Sequence, residues 1–87
     1  MKTDDRLNIY DANTYARAGY GIVTDTDRFS LYNLNGENIG YGLFNGSENF
    51  SIYDAEGNRI SYGVMNGQRE FNIYNLDSDR ISYGSFE

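Results

Sequence analysis

The stretch Phe50-Ser51-Ile52-Tyr53-Asp54-Ala55-Glu56-Gly57-Asn58-Arg59-Ile60-Ser61-Tyr62-Gly63 decides the fold. On either side of a polar centre, apolar and small or polar residues alternate with period two, the signature of a strand lying on a core. Between the two runs, Gly57 falls third in a three-residue loop, where a type I turn needs a residue in the left-handed region. The unit is therefore a β-hairpin.

The same unit recurs along the chain. Starting at Leu7, Phe29, Phe50 and Phe71, segments open as Leu7-Asn8-Ile9-Tyr10, Phe29-Ser30-Leu31-Tyr32, Phe50-Ser51-Ile52-Tyr53 and Phe71-Asn72-Ile73-Tyr74. Each later reaches a Tyr-Gly pair, at 20/21, 41/42, 62/63 and 83/84. Steps of 22, 21 and 21 residues separate the copies, which divide a single domain (1–87) at about 7–27, 28–48, 49–69 and 70–87. A fixed period of this length means a repeat architecture. Gly36 holds the turn position in copy two, and Ser78 replaces Gly in copy four. Asn45-Gly46 and Asn66-Gly67 read as two-residue type I′ loops joining one copy to the next, with Thr24-Asp25 in the equivalent place.

Centring hairpins on these loops gives straight rows across eight strands. One face then carries Ile9, Ala18, Leu31, Ile39, Ile52, Ile60, Ile73 and Ile81, beside a row in which Tyr20, Tyr41, Tyr62 and Tyr83 alternate with Leu7, Phe29, Phe50 and Phe71. The other face carries Tyr10, Arg17, Tyr32, Asn38, Tyr53, Arg59, Tyr74 and Arg80. Beside them runs a trough of small residues, Asn8, Gly19, Ser30, Gly40, Ser51, Ser61, Asn72 and Ser82. Straight rows build up little of the stagger that closure of eight strands requires. The expectation is all-β: an eight-stranded antiparallel meander of four hairpins forming an open, coiled sheet, with a closed up-and-down barrel as the alternative. An open sheet exposes its apolar face, which calls for a second copy and hence a homodimer.

Tyr53-Asp54-Ala55-Glu56-Gly57-Asn58-Arg59-Ile60, followed by Tyr62-Gly63, resembles the tyrosine-aspartate (YD, Rhs-type) repeat. In that family a Tyr-Asp-x-x-Gly-Arg-apolar core makes a β-hairpin, and long arrays form shells around toxins or extracellular surfaces associated with carbohydrate. Tyr10-Asp11 keeps the dipeptide, whereas Tyr32-Asn33 and Tyr74-Asn75 depart from it. What the resemblance implies here is the hairpin geometry; four copies are too few to enclose a cargo.

Composition narrows function. The 87 residues contain neither Cys nor His, which removes thiolate and imidazole chemistry, the commonest general base and the commonest transition-metal ligands. Lys plus Arg number 7 against 13 Asp plus Glu, a formal net charge of −6, which disfavours direct nucleic-acid binding. No apolar run is long enough to span a bilayer as a helix, and Met1–Arg6 leads into no apolar stretch, so a cytoplasmic protein without signal peptide or membrane contact is expected. No activated nucleophile, carboxylate dyad or phosphate loop is visible, so no enzyme, no catalytic residues and no cofactor are expected. Asp77-Ser78-Asp79 lacks the ligand series of a calcium loop, and no metal site is expected.

Two surfaces stand out. The rim formed by the long loops carries Asp11, Glu37, Asp54, Glu56, Asp77 and Asp79 and no Lys. It reads as an electronegative surface that docks on a basic protein, as a small inhibitor or adaptor does; its plain alternative is turn chemistry, since Asp and Asn favour loops. The stripe Tyr10, Arg17, Tyr32, Tyr53, Arg59, Tyr74 and Arg80 reads as a platform for carbohydrate, or as cross-strand packing on a solvated face. A self-associating structural repeat is the third reading.

Overall fold

The computed structural model describes residues 3–87. Eight strands follow the chain: β1 (Arg6–Asp11), β2 (Arg17–Asp25), β3 (Arg28–Asn33), β4 (Asn38–Phe44), β5 (Asn49–Asp54), β6 (Arg59–Met65), β7 (Glu70–Asn75) and β8 (Arg80–Phe86). Each pairs antiparallel with the next, and β8 pairs with β1, so the meander is a closed barrel rather than an open sheet.

Within each hairpin, the departure from straight rows comes from one residue. The three-residue loops do set the nearest pairs, Tyr10↔Arg17, Tyr32↔Asn38, Tyr53↔Arg59 and Tyr74↔Arg80. One step further in, the pairs are Ile9↔Gly19, Leu31↔Gly40, Ile52↔Ser61 and Ile73↔Ser82. Ala18, Ile39, Ile60 and Ile81 are thus passed over as β-bulges. A one-residue slip sends every later side chain of that strand to the other face. Tyr20, Tyr41, Tyr62 and Tyr83 therefore stand outside, and Gly21, Gly42, Gly63 and Gly84 point inward.

The inward glycines have a packing reason. Gly42 lies directly opposite Phe29, and Gly63 opposite Phe50. The Phe ring covers its glycine so closely that any Cβ there would collide with ring carbons. A core of large aromatic side chains on the odd strands needs residues without a side chain on the even strands, and the Tyr-Gly pair supplies them in every copy.

The loops between copies also differ from the two-residue expectation. Asn45 N–H donates to the Asn49 carbonyl, and Asn66 N–H to the Glu70 carbonyl, so three residues turn the chain at each point, with Gly46 and Gly67 at positive φ. Tyr41 consequently pairs with Tyr53, and Tyr62 with Tyr74, instead of with Phe50 and Phe71. Bulges and longer loops together produce the stagger. The row Leu7↔Gly21↔Leu31↔Gly40↔Asp54 climbs, within half a circuit, four residues beyond Phe50, the repeat equivalent of Leu7. Doubled round the circuit, this reaches a shear of about 8, at which eight strands close on a side-chain-filled interior.

The interior is layered. Leu7, Phe29, Phe50 and Phe71 form the central layer and are all but inaccessible to solvent. Neighbouring rings meet edge to face, Phe29–Phe50 at 5.3 Å and Phe50–Phe71 at 5.4 Å between centroids. Burial of such side chains stabilises by about 1.5–3 kcal/mol each. Leu31, Ile52 and Ile73, with partly buried Ile9, fill the layer towards the long loops; Val23, Phe44, Met65 and Phe86 fill the layer towards the short ones. Of the apolar face that called for a second copy, Leu7, Phe29, Leu31, Phe50, Ile52, Phe71 and Ile73 are thereby covered within one chain.

Candidate functional site

Tyr and Arg build the outer wall. At every junction between copies two tyrosines stack: Tyr20 on Tyr32 at 5.3 Å, Tyr41 on Tyr53 at 5.1 Å, Tyr62 on Tyr74 at 5.4 Å and Tyr83 on Tyr10 at 5.5 Å. A guanidinium sits over the even-strand ring in each case: Arg17 over Tyr20, Arg28 over Tyr41, Arg59 over Tyr62 and Arg80 over Tyr83, at 4.8–5.7 Å. Three of the arginines are also held by hydrogen bonds, Arg17 donating to Asn8 Oδ1, Arg59 to Ser51 Oγ and Arg80 to Asn72 Oδ1. Of the small residues, Gly19, Gly40, Ser61 and Ser82 belong to the bulged strands' inner side, while Asn8, Ser51 and Asn72 are engaged by arginine. No continuous trough runs across the wall.

The stripe residues Tyr10, Arg17, Tyr32, Tyr53, Arg59, Tyr74 and Arg80 therefore do share the outer surface, where they are engaged with one another or with the second set of tyrosines. Sequence reading missed Arg28, which serves copy two where Asn38 stands in place of an arginine. It also misplaced Tyr20, Tyr41, Tyr62 and Tyr83. These four reach the long loop of the following copy: Tyr62 Oη donates to Ser78 Oγ at 2.8 Å, the Tyr20 and Tyr41 hydroxyls lie over Gly36 and Gly57, and Tyr83 meets the Tyr15 ring edge-on. The wall thus braces the loops at one end of the barrel.

Those loops form the rim. Asp11, Asn33, Asp54 and Asn75 each close one of them as an Asx turn, with the side-chain Oδ1 accepting two backbone N–H groups. Asp54 accepts from Glu56 and Asn58, Asn33 from Asn35 and Glu37, Asn75 from Asp77 and Asp79, and Asp11 from Asn13 and Thr14. This explains why Asp and Asn interchange after Tyr: the loop requires an acceptor, whatever its charge. The N–H donors of Asn58, chiefly its backbone, hold the Asp54 carboxyl below its usual range. Gly36, Gly57 and Ser78 adopt positive φ third in their loops, as the loop chemistry anticipates.

Of the six rim acids, Asp11 and Asp54 are thus committed to loop closure, and Glu37 accepts from the Asn33 amide at 3.0 Å. Glu56, Asp77 and Asp79 are exposed. Among the described residues their carboxylates take part in no hydrogen bond or ion pair. The structure gathers all six at the long-loop end, and it adds what the sequence reading lacked, an apolar centre. Ile39, Ile60 and Ile81, the bulge residues, are 48%, 48% and 39% exposed and surround the barrel mouth. With Ala18 above the Leu31 and Ile52 layer they line a shallow apolar hollow of about 250 Å³. Leu34 and Leu76 stand exposed on the loops outside it. Among the described residues, every exposed large apolar side chain except Val64 lies at this end. The signal for it was present in the sequence as the isoleucine that follows Asn38, Arg59 and Arg80.

No group of three or more potential metal ligands occurs among the described residues, and no helix is long and apolar enough to cross a membrane. Compared with protein-family models, curated proteins and solved structures, the chain gives no match.

Proposed function

We propose that the protein is a non-enzymatic binding module whose long-loop mouth docks on a protein partner. The observation that supports this most directly is the set of exposed Ile39, Ile60 and Ile81 at the same end of the barrel as the exposed Glu56, Asp77 and Asp79, whose two loops border the hollow's rim. An apolar centre with a polar surround is how protein interfaces are built, and exposed apolar side chains confined to one end of a small barrel mark such a surface. The charge selects the partner: an apolar protrusion flanked by Lys or Arg. The Asx-closed loops and the tyrosines behind them hold the rim in place before binding, which lowers the ordering cost of association. An inhibitor or adaptor that occupies a basic surface would work this way.

The test is capture by immobilised protein at low and high ionic strength, in parallel with Ile60→Glu and with Glu56→Gln/Asp77→Asn/Asp79→Asn. Partners retained by wild type should be lost on Ile60→Glu at any salt. They should be weakened by the charge variant and by salt, because exposed charges are screened. Partners that bind all three proteins equally would contradict a docking surface at this mouth.

A further inference from the structure

The chain contains three Asn-Gly pairs, at 35/36, 45/46 and 66/67. An asparagine before glycine is open to a reaction that needs only water, because no Cβ shields the glycine nitrogen. That nitrogen loses its proton to hydroxide and attacks the asparagine Cγ. The new C–N bond closes a five-membered succinimide, and the side-chain nitrogen leaves as ammonia. Water then opens the ring at either carbonyl, leaving aspartate or isoaspartate. The glycine N–H must be free to give up its proton, and the side-chain amide must be free to turn onto it. The fold treats the three pairs differently. Gly36 N–H is engaged, donating to the Asn33 carbonyl at 3.0 Å within its turn. Asn45 Nδ2 donates to Ser51 Oγ at 3.2 Å, which ties that side chain to β5.

We propose that Asn66 is the residue at which this protein modifies itself, by deamidation through a succinimide with water as the reagent. Asn66 and Gly67 are both exposed. Among the described residues, neither the Asn66 side chain nor the Gly67 N–H has a hydrogen-bond partner. The residue equivalent to Ser51 in the next copy is Asn72. Its Oδ1 accepts from Arg80 Nε at 2.9 Å and does not take the Asn66 amide. The two loops are otherwise built alike: the N–H groups of Asn45 and Asn66 donate to the Asn49 and Glu70 carbonyls, and both glycines have positive φ. A Cβ placed on Gly67 would meet no atom within 4 Å, so water reaches the reacting atoms. What distinguishes Asn45 from Asn66 is the Ser51 tether. Reaction gives the loop between β6 and β7 a new carboxylate, and the isoaspartyl product lengthens its main chain by one methylene. The site lies at the other end of the barrel from the protein-docking mouth and does not depend on it.

The experiment incubates the folded protein at mildly alkaline pH and follows deamidation at each site by tandem mass spectrometry of proteolytic peptides. Each rate is taken relative to that of the same pair in denaturing urea, which removes intrinsic differences between the three sequences. On that scale Asn66 should react about fivefold faster than Asn45 or Asn35, the factor that one hydrogen bond supplies. Ser51→Ala should bring Asn45 up to the Asn66 rate. Asn72→Ser, which offers Asn66 the hydroxyl that Asn45 has, should slow Asn66 by a similar factor. Backbone amide shifts verify that both variants keep the fold. Equal relative rates at the three sites, a faster Asn35 or Asn45, or rates indifferent to both substitutions would overturn the proposal.

Discussion

Tyr10 and Tyr83, the first strand's tyrosine and the last strand's, lie directly opposite each other and stack at 5.5 Å with an interplanar angle of 18°. Tyr20–Tyr32, Tyr41–Tyr53 and Tyr62–Tyr74 make the same contact at 5.1–5.4 Å and 14–18°. The seam that closes the barrel is therefore a fourth instance of the contact between consecutive copies. Repeat arrays ordinarily need terminal caps, because their end units expose an unsatisfied face. Here the last copy meets the first, and no edge strand is left to recruit another chain.

Equivalence of the seams has an energetic consequence. Stacked aromatic pairs contribute about 0.5–1.5 kcal/mol beyond their buried area. Tyr10→Ala should accordingly lower stability as much as Tyr53→Ala, to within about 0.5 kcal/mol for such independent sites. Urea unfolding of both variants measures this; a Tyr10→Ala that costs nothing would mean that the terminal strands are not stacked.

The glycines beneath the phenylalanines make a second case. Gly63→Ala drives a methyl into the Phe50 ring, and overpacking of this kind costs about 1–3 kcal/mol or more. In the Gly63→Ala background, Phe50→Ala should cost less than it does in wild type, because it also relieves the collision. A double-mutant cycle by denaturant unfolding gives the coupling, which should be favourable by more than about 0.5 kcal/mol. Additive effects would show that Phe50 does not cover Gly63.

Asp54 links the rim to pH. Its folded-state carboxyl is lowered by the Asn58 donors, so the carboxylate stabilises the fold above its unfolded value, and that contribution is lost as pH falls through the lowered folded value. Asp54→Asn should keep the loop closed, because Asn33 and Asn75 do the same work elsewhere, and should remove this part of the acid dependence. Asp54→Ala, without an acceptor, should lower Tm at neutral pH. Tm measured from neutral pH down through the carboxylate range for the three proteins checks both statements; a Tm for Asp54→Ala equal to that of Asp54→Asn at neutral pH would remove the Asx turn as a determinant.

Much of this architecture was legible from the chain. The four-copy period, the strands, the three-residue loops with their left-handed third residue and the loop-proximal pairs such as Tyr53↔Arg59 follow from alternation and turn chemistry. What was not legible was the single bulged residue in each hairpin. Ile60 satisfies an apolar row as well as a bulge does, and local periodicity cannot separate the two. The discriminating signal is steric: Phe50 needs a residue without a side chain across from it, and only Gly63, not Tyr62, provides one. Asn45-Gly46 suggested the tighter turn, although a three-residue loop accommodates the same glycine at positive φ. The two slips together hid the stagger, the closure and the apolar mouth. The rim acids were found by composition, and half of their meaning, as Asx acceptors, needed the hydrogen bonds.

The most direct test is the nuclear Overhauser contact across the closing seam, read in a sample that distinguishes within-chain from between-chain contacts by mixing labelled and unlabelled protein. Closure within one chain predicts contacts between the Tyr10 and Tyr83 rings and between Ile9 and Gly84, arising inside a single molecule, with slow amide exchange along β1 and β8. Missing contacts with fast-exchanging terminal strands, or contacts that arise only between molecules, would contradict the closed four-copy barrel.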